Sequence, residues 1–169
     1  MKREKFIEVL EDIKGYHYEI AEDKIVITED GDVYEELKTL PPDVVFINNG
    51  NVFLPSLKTL PPGVVFKNKG FVSLSSLETL SPGVEFKNGG DVGLNKLETL
   101  PPGVEFKNGE DVYLNKLETL PPGVEFKNGE DVYLESLVGD WFEDWKGNID
   151  GIDSKRLLNF MISKGIFER

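Results

Sequence analysis

The sequence predicts an all-β repeat fold, a parallel β-solenoid of about six 20-residue rungs with short helical caps at both ends. Three observations support this prediction. A 20-residue unit recurs without insertion over residues 37–136, each unit holds two short alternating apolar segments, and the repeat disappears at both ends. We therefore divide the chain into an N-terminal helical cap (1–23), the solenoid (24–137) and a C-terminal cap with a helix (138–169).

The repeat is clearest in its last two copies. Residues 97–116 read LETLPPGVEFKNGEDVYLNK, and residues 117–136 read LETLPPGVEFKNGEDVYLES. Three earlier copies at 37–96 keep the period with more substitutions, and KIVITEDGDVYEEL at 24–37 matches part of the unit. One such unit is too small to fold alone, so neighbouring units are expected to stack and share a core.

Each unit is predicted to contain two strands and a third side, all with apolar residues that face the core. In one unit these residues are Val104, Phe106, Val112, Leu114, Leu117 and Leu120. Between the strands, Asn108-Gly109 indicates a tight turn, because both residue types tolerate a positive φ. The third side ends at Pro121-Pro122-Gly123, where two prolines prevent a helix.

Stacked rungs would place equivalent residues about 4.8 Å apart. Two polar columns are then expected to form ladders along the solenoid. The asparagine column is Asn48, Asn68, Asn88, Asn108 and Asn128, and the threonine column is Thr39, Thr59, Thr79, Thr99 and Thr119.

Both ends of the stack would expose sheet edges that need a cover. At the start, apolar residues at helical spacing are Phe6, Val9, Leu10 and Ile13, and Gly15 suits a helix end. At the other end, Asp153 or Ser154 is predicted to begin a helix. Its apolar residues are Leu157, Leu158, Met161 and Ile162. Trp141 and Trp145 are expected to cover the last rung.

The repeat pattern L-x-T-L-P-P-G-V resembles the leucine-rich-repeat-like proteins of bacteria and their phages over about residues 24–137. The resemblance implies a repeat architecture and no particular function. In standard leucine-rich repeats, leucine-x-leucine is followed by two residues and an asparagine. Here Val104-x-Phe106 reaches Asn108 one residue sooner and a second strand follows, which favours a compact β-solenoid over a horseshoe.

Composition restricts the function. The net charge is −12, which argues against direct binding to nucleic acid or to an anionic membrane. There are no cysteines, no apolar stretch long enough for a membrane helix and no leader pattern, so we expect a cytoplasmic protein. An acidic chain suits a partner protein with a basic surface.

No arrangement of residues indicates catalysis, a cofactor or a metal. The single histidine, His17, lies outside the repeat. A carbohydrate-active solenoid enzyme is an alternative, but the acids form equivalent columns, whereas a glycosidase needs two carboxylates in different environments. Asp91 follows Gly89-Gly90, and 148–151 resembles part of a calcium loop, yet both lack the remaining ligands.

We therefore interpret the chain as a non-enzymatic protein-binding module with a rigid acidic and aromatic face. The candidate partner-binding residues are Tyr113, Tyr133, Glu105, Glu125, Asp111, Asp131, Trp141 and Trp145. Phe53 shares the outward column of the two tyrosines.

The alternative is a small, acidic, phage-encoded inhibitor that mimics a nucleic acid, for example against a host defence or DNA-binding protein. The charge distribution motivates it. Residues 37–76 hold four lysines and one aspartate, a net charge of +3, whereas residues 77–136 hold twelve acids and five lysines, a net charge of −7. A lysine column beside the glutamates can instead pair with them across rungs; it is Lys67, Lys87, Lys107 and Lys127.

Overall fold

The computed structural model describes residues 1–12 and 16–136. The predicted C-terminal cap, with Trp141 and Trp145, lies outside the described residues, as does the predicted end of the N-terminal helix at Ile13 and Gly15. Within the described residues the fold prediction is confirmed: the chain forms a parallel β-solenoid with one short N-terminal helix.

Sheet A runs along one side of the solenoid and contains seven strands. In spatial order they are β1 (Tyr18–Ala21), β2 (Lys24–Ile27), β4 (Val44–Phe46), β7 (Val65–Phe66), β10 (Glu85–Phe86), β12 (Glu105–Phe106) and β14 (Glu125–Phe126). All neighbours pair in parallel except β1 and β2, which are antiparallel.

Sheet B holds the second strand of each rung. Its six parallel strands are β3 (Val33–Tyr34), β5 (Val52–Phe53), β8 (Val72–Ser73), β11 (Val92–Gly93), β13 (Val112–Tyr113) and β15 (Val132–Tyr133). The predicted third side is a strand pair in two rungs only, as sheet C, with β6 (Thr59–Leu60) and β9 (Thr79–Leu80). Six rungs thus give about five turns of the coil.

The register gives the length of each turn. Val92 pairs with Val112, and Val45 pairs with Val65, so these turns contain 20 residues. The first turn is one residue shorter, because Ile25 pairs with Val44. The first copy is therefore one residue shorter than the 20-residue unit.

The core lies between the two long sheets and contains the six predicted inward positions. In the rung of β12 and β13 all six are at most 3% exposed: Val104, Phe106, Val112, Leu114, Leu117 and Leu120. One phenylalanine per rung stacks on the next, with ring centroids 5.1–5.4 Å apart, in the order Phe46, Phe66, Phe86, Phe106 and Phe126. The rung period therefore also sets aromatic packing in the core.

The chain turns at Asn108-Gly109 as predicted, but neither residue has the positive φ on which that prediction was based. Among the described repeats, positive φ values of 75–79° occur at the glycine after the prolines, which is Gly63, Gly83, Gly103 or Gly123. Gly109 is required for a different reason: a Cβ there would lie 2.0 Å from the carbonyl oxygen of Gly89 in the rung below. In this rung the backbones approach too closely at the turn for a side chain, whereas earlier rungs carry Asn49 and Lys69 at the equivalent position and have their glycine one residue later.

The asparagine column is buried, and its amides bond to the backbone rather than to one another. Asn108 is 2% exposed, and its Nδ2 donates to the carbonyls of Glu110 (3.0 Å) and Asp111 (2.9 Å) in its own turn. It also donates to the carbonyl of Gly90 in the rung below (3.2 Å). Each asparagine therefore holds its own turn closed and ties it to the previous one.

The N-terminal cap consists of a helix and an unpredicted hairpin strand. Helix α1 (Arg3–Asp12) buries Phe6 and Leu10, which lie one turn apart, against the first rung. Strand β1 then pairs with β2 through a two-residue turn in which Glu22 and Asp23 have positive φ values of 49° and 64°. Strand β1 therefore covers the edge of β2, the first strand of the parallel stack, which would otherwise be open to pairing with another chain.

Candidate protein-binding surface

In the rungs of β10, β12 and β14, the outer face of sheet A carries alternating glutamates and lysines that neutralise one another. Lys87 contacts Glu85, and Lys107 contacts Glu105. Lys127 contacts Glu125 in its own rung and Glu105 in the rung below, where Nζ and Oε1 are 3.0 Å apart. The predicted pairing of the two columns is thus present both within and across rungs.

The lysines around Glu105 also change its acidity. Hydrogen bonds from Lys107 and then Lys127 lower the pKa of Glu105 to about 2, although the side chain is solvent-exposed. The same contacts raise the pKa of Lys127, with Glu125 as the main cause. At neutral pH Glu105 is therefore ionised and paired with both lysines.

The outer face of sheet B carries a pair of stacked tyrosines. The rings of Tyr113 and Tyr133 are nearly parallel, 6° apart, with centroids at 4.7 Å. The hydroxyl of Tyr113 donates to Oδ2 of Asp111 at 2.9 Å, and this bond, followed by burial, raises the pKa of Tyr113 to about 12. The pKa of Tyr133 is also raised, mainly by the charge of Asp111. Both phenols are therefore neutral near pH 7.

A column of aspartates lies beside the tyrosines and bonds to the backbone of the following rung. The backbone N–H of Asp111 donates to Oδ1 of Asp91 (3.0 Å), and that of Asp131 donates to Oδ1 of Asp111 (2.8 Å). In an earlier rung, the N–H of Phe71 donates to Oδ1 of Asn51 in the same way (3.0 Å). A neutral amide is thus accepted at this position, so the ladder does not itself require the charge.

The aspartates differ from the glutamates of sheet A in their cation contacts. Within residues 16–136, no salt bridge joins Asp91, Asp111 or Asp131 to a lysine. Their negative charge is therefore presented to solvent beside the tyrosine rings.

The outward positions of sheet B are not all aromatic. From the second rung on, they are in register order Phe53, Ser73, Gly93, Tyr113 and Tyr133. Phe53 packs edge-on against Phe71, which belongs to the rung of Ser73, with centroids 4.8 Å apart. The rungs of Ser73 and Gly93 thus lack a ring at the outward position itself, and we call this interruption, defined by Ser73 and Gly93, the Gly93 gap.

The predicted candidate residues fall on two different sheets. Tyr113, Tyr133, Asp111 and Asp131 lie together on sheet B, whereas Glu105 and Glu125 lie on sheet A. Gly93 and Ser73 were not among the residues predicted from the sequence. The signal was present, since GDVGL in one copy aligns with EDVYL in the next.

A further apolar patch was not predicted from the repeat. Val26, Val45 and Val65 form a separate cluster on the outward side of the first rungs of sheet A, and Ile47 beside them is 42% exposed. Later rungs carry a glutamate at this position, such as Glu85. The early and late parts of sheet A thus present different chemistry.

The described residues contain neither a candidate metal site nor a helix that could cross a membrane. No group of three or more histidine, aspartate or glutamate side chains within the described ranges is arranged to hold a metal ion. No helix in that part of the chain combines the length and apolarity that a bilayer crossing needs. His17 is exposed and lies 3.5 Å from Glu29.

Comparison with protein-family models, curated proteins and solved structures found no match to this chain.

Proposed function

We propose that the chain is a non-enzymatic protein-binding module whose contact surface is the outer face of sheet B. The observation that carries the proposal is the stacked pair of Tyr113 and Tyr133, which stands beside aspartates that no lysine of the described residues neutralises. Tyrosines in such a setting are typical binding anchors, because they offer a large apolar ring and a polar tip.

The tyrosines are also held in position before any partner arrives. Tyr113 is fixed by its stack with Tyr133 and by its bond to Asp111. Its backbone belongs to strand β13, which pairs on both sides. A side chain that is already ordered loses little conformational entropy on binding, which favours affinity.

An enzymatic role has less support. The two glutamates with shifted pKa values are Glu35, where burial raises the pKa, and Glu105, where lysines lower it. They belong to rungs four apart, which is about 19 Å along the coil. The carboxylates of glycosidases act at roughly 5–9.5 Å from each other.

The nucleic-acid mimic is the second candidate, and the unpaired aspartate column favours it. Glu105 and Glu125, however, are paired with lysines and add little net charge to the surface. A mimic would therefore depend on the aspartates and on glutamates outside these pairs, such as Glu98 and Glu118. The L-x-T-L-P-P-G-V units support the further proposal that the chain is a leucine-rich-repeat-like protein of bacterial or phage type. We also propose that it is located in the cytoplasm.

The test compares three variants of the full chain as baits in an extract of the source cells, followed by affinity measurement with the purified partner. One changes Tyr113 and Tyr133 to serine, which the same column already contains as Ser73. The second changes Asp111 and Asp131 to asparagine, which keeps the ladder acceptor. The control changes Glu105 and Glu125 to glutamine and removes the same number of charges from sheet A.

The proposal expects the serine variant to lose about 2 kcal/mol or more of binding free energy, roughly 30-fold in Kd. The control should bind as the parent does, and the affinity should survive 1 M salt, at which the Debye length is about 3 Å. Affinity that collapses with salt and with the asparagine variant alone would favour the mimic. Binding that ignores both the serine and the asparagine variants would contradict the choice of face.

A further inference from the structure

At Gly93 the contacts that Tyr113 and Tyr133 make on sheet B come to an end. Gly93 pairs with Tyr113 in the next rung, and Asp91 stands to Gly93 as Asp111 stands to Tyr113. In the rung of Tyr113, the phenol donates to Oδ2 of Asp111 and its ring continues the stack. In the rung of Gly93, the ring and the donor are both missing.

The backbone at Gly93 does not require glycine. A Cβ built on Gly93 would meet nothing closer than the carbonyl oxygen of Val72 at 3.7 Å and Cα of Ser73 at 4.0 Å, which are ordinary contacts. Gly93 also has no positive φ. This contrasts with Gly109, whose Cβ would clash with backbone at 2.0 Å. The packing of the solenoid therefore does not require a glycine at position 93, and a side chain would fit there.

The tyrosine stack leaves one ring face directed at this space. Tyr113 and Tyr133 are related by one rung translation, with their centroids 4.7 Å apart. The face of Tyr113 that does not contact Tyr133 is consequently turned toward the rung of Gly93. The charge beside it is negative, because Asp91 and Asp111 have no lysine partner among the described residues and both raise the pKa of Tyr113.

From this arrangement we propose that the Gly93 gap is a receptor for one arginine side chain from an extended segment of the partner protein. The guanidinium stacks on the open face of Tyr113 and donates to the carboxylate of Asp91, which supplies the two contacts that a tyrosine at position 93 would have made. This inference rests on the proposed function and names the chemistry of the partner.

Arginine fits this site better than other side chains for three reasons. A guanidinium is planar and stacks on an aromatic ring, whereas an ammonium does not. It carries several N–H donors in a fixed plane, so it can stack and bond to a carboxylate together. It is always charged and weakly hydrated, which suits a shallow site that removes only part of its water.

The experiment is an NMR titration of the full 19.0 kDa chain with three short, acetylated and amidated peptides. They share a neutral sequence and differ only at the central residue, which is arginine, lysine or citrulline. Citrulline keeps the shape of arginine without its charge. We expect the arginine peptide to shift the amide signals of Gly93 and Tyr113, the lysine peptide to bind about tenfold more weakly, and the citrulline peptide to cause no shift.

Two protein variants make the test specific to the gap. Gly93→Tyr fills the space with the missing ring, and it should abolish binding while leaving the melting temperature unchanged or higher. Gly93→Ala is the matched control, since it replaces the same glycine but adds only a methyl group and leaves the gap open. It should keep binding within about threefold. Asp91→Asn should weaken the arginine peptide about tenfold, because it keeps the ladder acceptor and removes the charge.

Equal binding of the arginine and lysine peptides, or full binding by Gly93→Tyr, would overturn this inference. The two proposals fail separately. A natural partner that needs Tyr113 and Tyr133 but is insensitive to Gly93→Tyr leaves the binding function intact and refutes the arginine receptor. A natural partner that binds the serine variant of Tyr113 and Tyr133 as tightly as the parent refutes the proposed function on which the inference rests.

Discussion

Replacing Asn108 by alanine tests whether the buried asparagine column holds the turns of the solenoid together. The amide of Asn108 donates to three carbonyls, those of Gly90 (3.2 Å), Glu110 (3.0 Å) and Asp111 (2.9 Å). An amide nitrogen has only two protons, so the three contacts amount to two full hydrogen bonds. At about 0.5–1.5 kcal/mol each, their loss costs about 1–3 kcal/mol of unfolding free energy.

The acceptors limit this loss, because each keeps another donor. Gly90 O retains Asn88 Nδ2 at 2.9 Å, and Asp111 O retains the N–H of Val92 at 2.9 Å. Glu110 O retains Asn128 Nδ2 at 3.0 Å. None of the three backbone carbonyls is left unpaired, so the penalty of about 1–3 kcal/mol for a buried orphan group does not add. Alanine also removes Oδ1 of Asn108, which is buried without a hydrogen-bond partner, and this offsets part of the loss.

Asn108→Asp should be far more destabilising than Asn108→Ala. It places a carboxylate oxygen against the same carbonyls in a site that is 2% exposed, and it therefore replaces attraction by repulsion in a buried position. We expect a cost at least twice that of the alanine change.

Urea denaturation followed by far-ultraviolet circular dichroism measures both variants against the parent. With a slope of about 2 kcal/mol/M, the alanine change should lower the midpoint by roughly 1 M. An alanine variant as stable as the parent would refute a holding role for the amide. An aspartate variant as stable as the alanine one would show that the turn is hydrated enough to accept a charge.

Three further predictions concern the turn glycine, the paired glutamate and the stacked tyrosine. Gly109→Ala should lower the melting temperature strongly, because its Cβ would lie 2.0 Å from Gly89 O, and a small effect in calorimetry would mean that the rungs separate easily. The pKa of Glu105 is lowered to about 2 from 4.5, so its contribution to stability is present above pH 4.5 and is lost as the pH falls toward 2. Acid melts of Glu105→Gln should lack that dependence. The pKa of Tyr113 is raised from 10.0 to about 12, so its contribution is present below pH 10 and is lost as the pH rises through 12. Phenolate absorbance should show this late titration, and Asp111→Asn should lower the pKa of Tyr113.

The core could be predicted from the sequence because its signal is repeated. Val104 and Phe106 alternate with charged residues in a two-residue period, and the same alternation returns 20 residues later. A parallel stack of such units is the arrangement that buries every copy in the same way. The hairpin strand β1 has no counterpart in the repeat, and it was not predicted.

The turn at Asn108-Gly109 shows where the reasoning from sequence was limited. Asparagine followed by glycine is a turn signal for positive φ, yet here both residues have other causes. Asn108 is present for its amide protons, and Gly109 for the approach of Gly89 in the rung below. One bond of the Asn108 amide and the contact of Gly109 lie between rungs, and a local pattern carries no information on distances between rungs.

For the same reason, the sequence did not show that the candidate residues lie on two separate surfaces. Strand alternation shows that Glu105 and Tyr113 both point outward, but it does not state that they do so on different sheets. Pairing by lysines then separates them further, because Glu105 is neutralised and the aspartates near Tyr113 are not. The two faces became distinguishable only when the coil placed the strands.

The repeat itself indicates which positions are free to carry function. Asn108 recurs in all five full copies because its amide holds the turn, and a glycine recurs at one of the next two positions because the backbones of adjacent rungs approach closely there. The outward position of sheet B has no such restriction, since a Cβ at Gly93 meets only ordinary contacts, and there the chain uses phenylalanine, serine, glycine and tyrosine in turn. Variation at a position that packing leaves open costs the fold little, so it is the place where a regular scaffold can acquire an individual binding surface. The stacked tyrosines and the gap beside them are the two forms that this variation takes in sheet B.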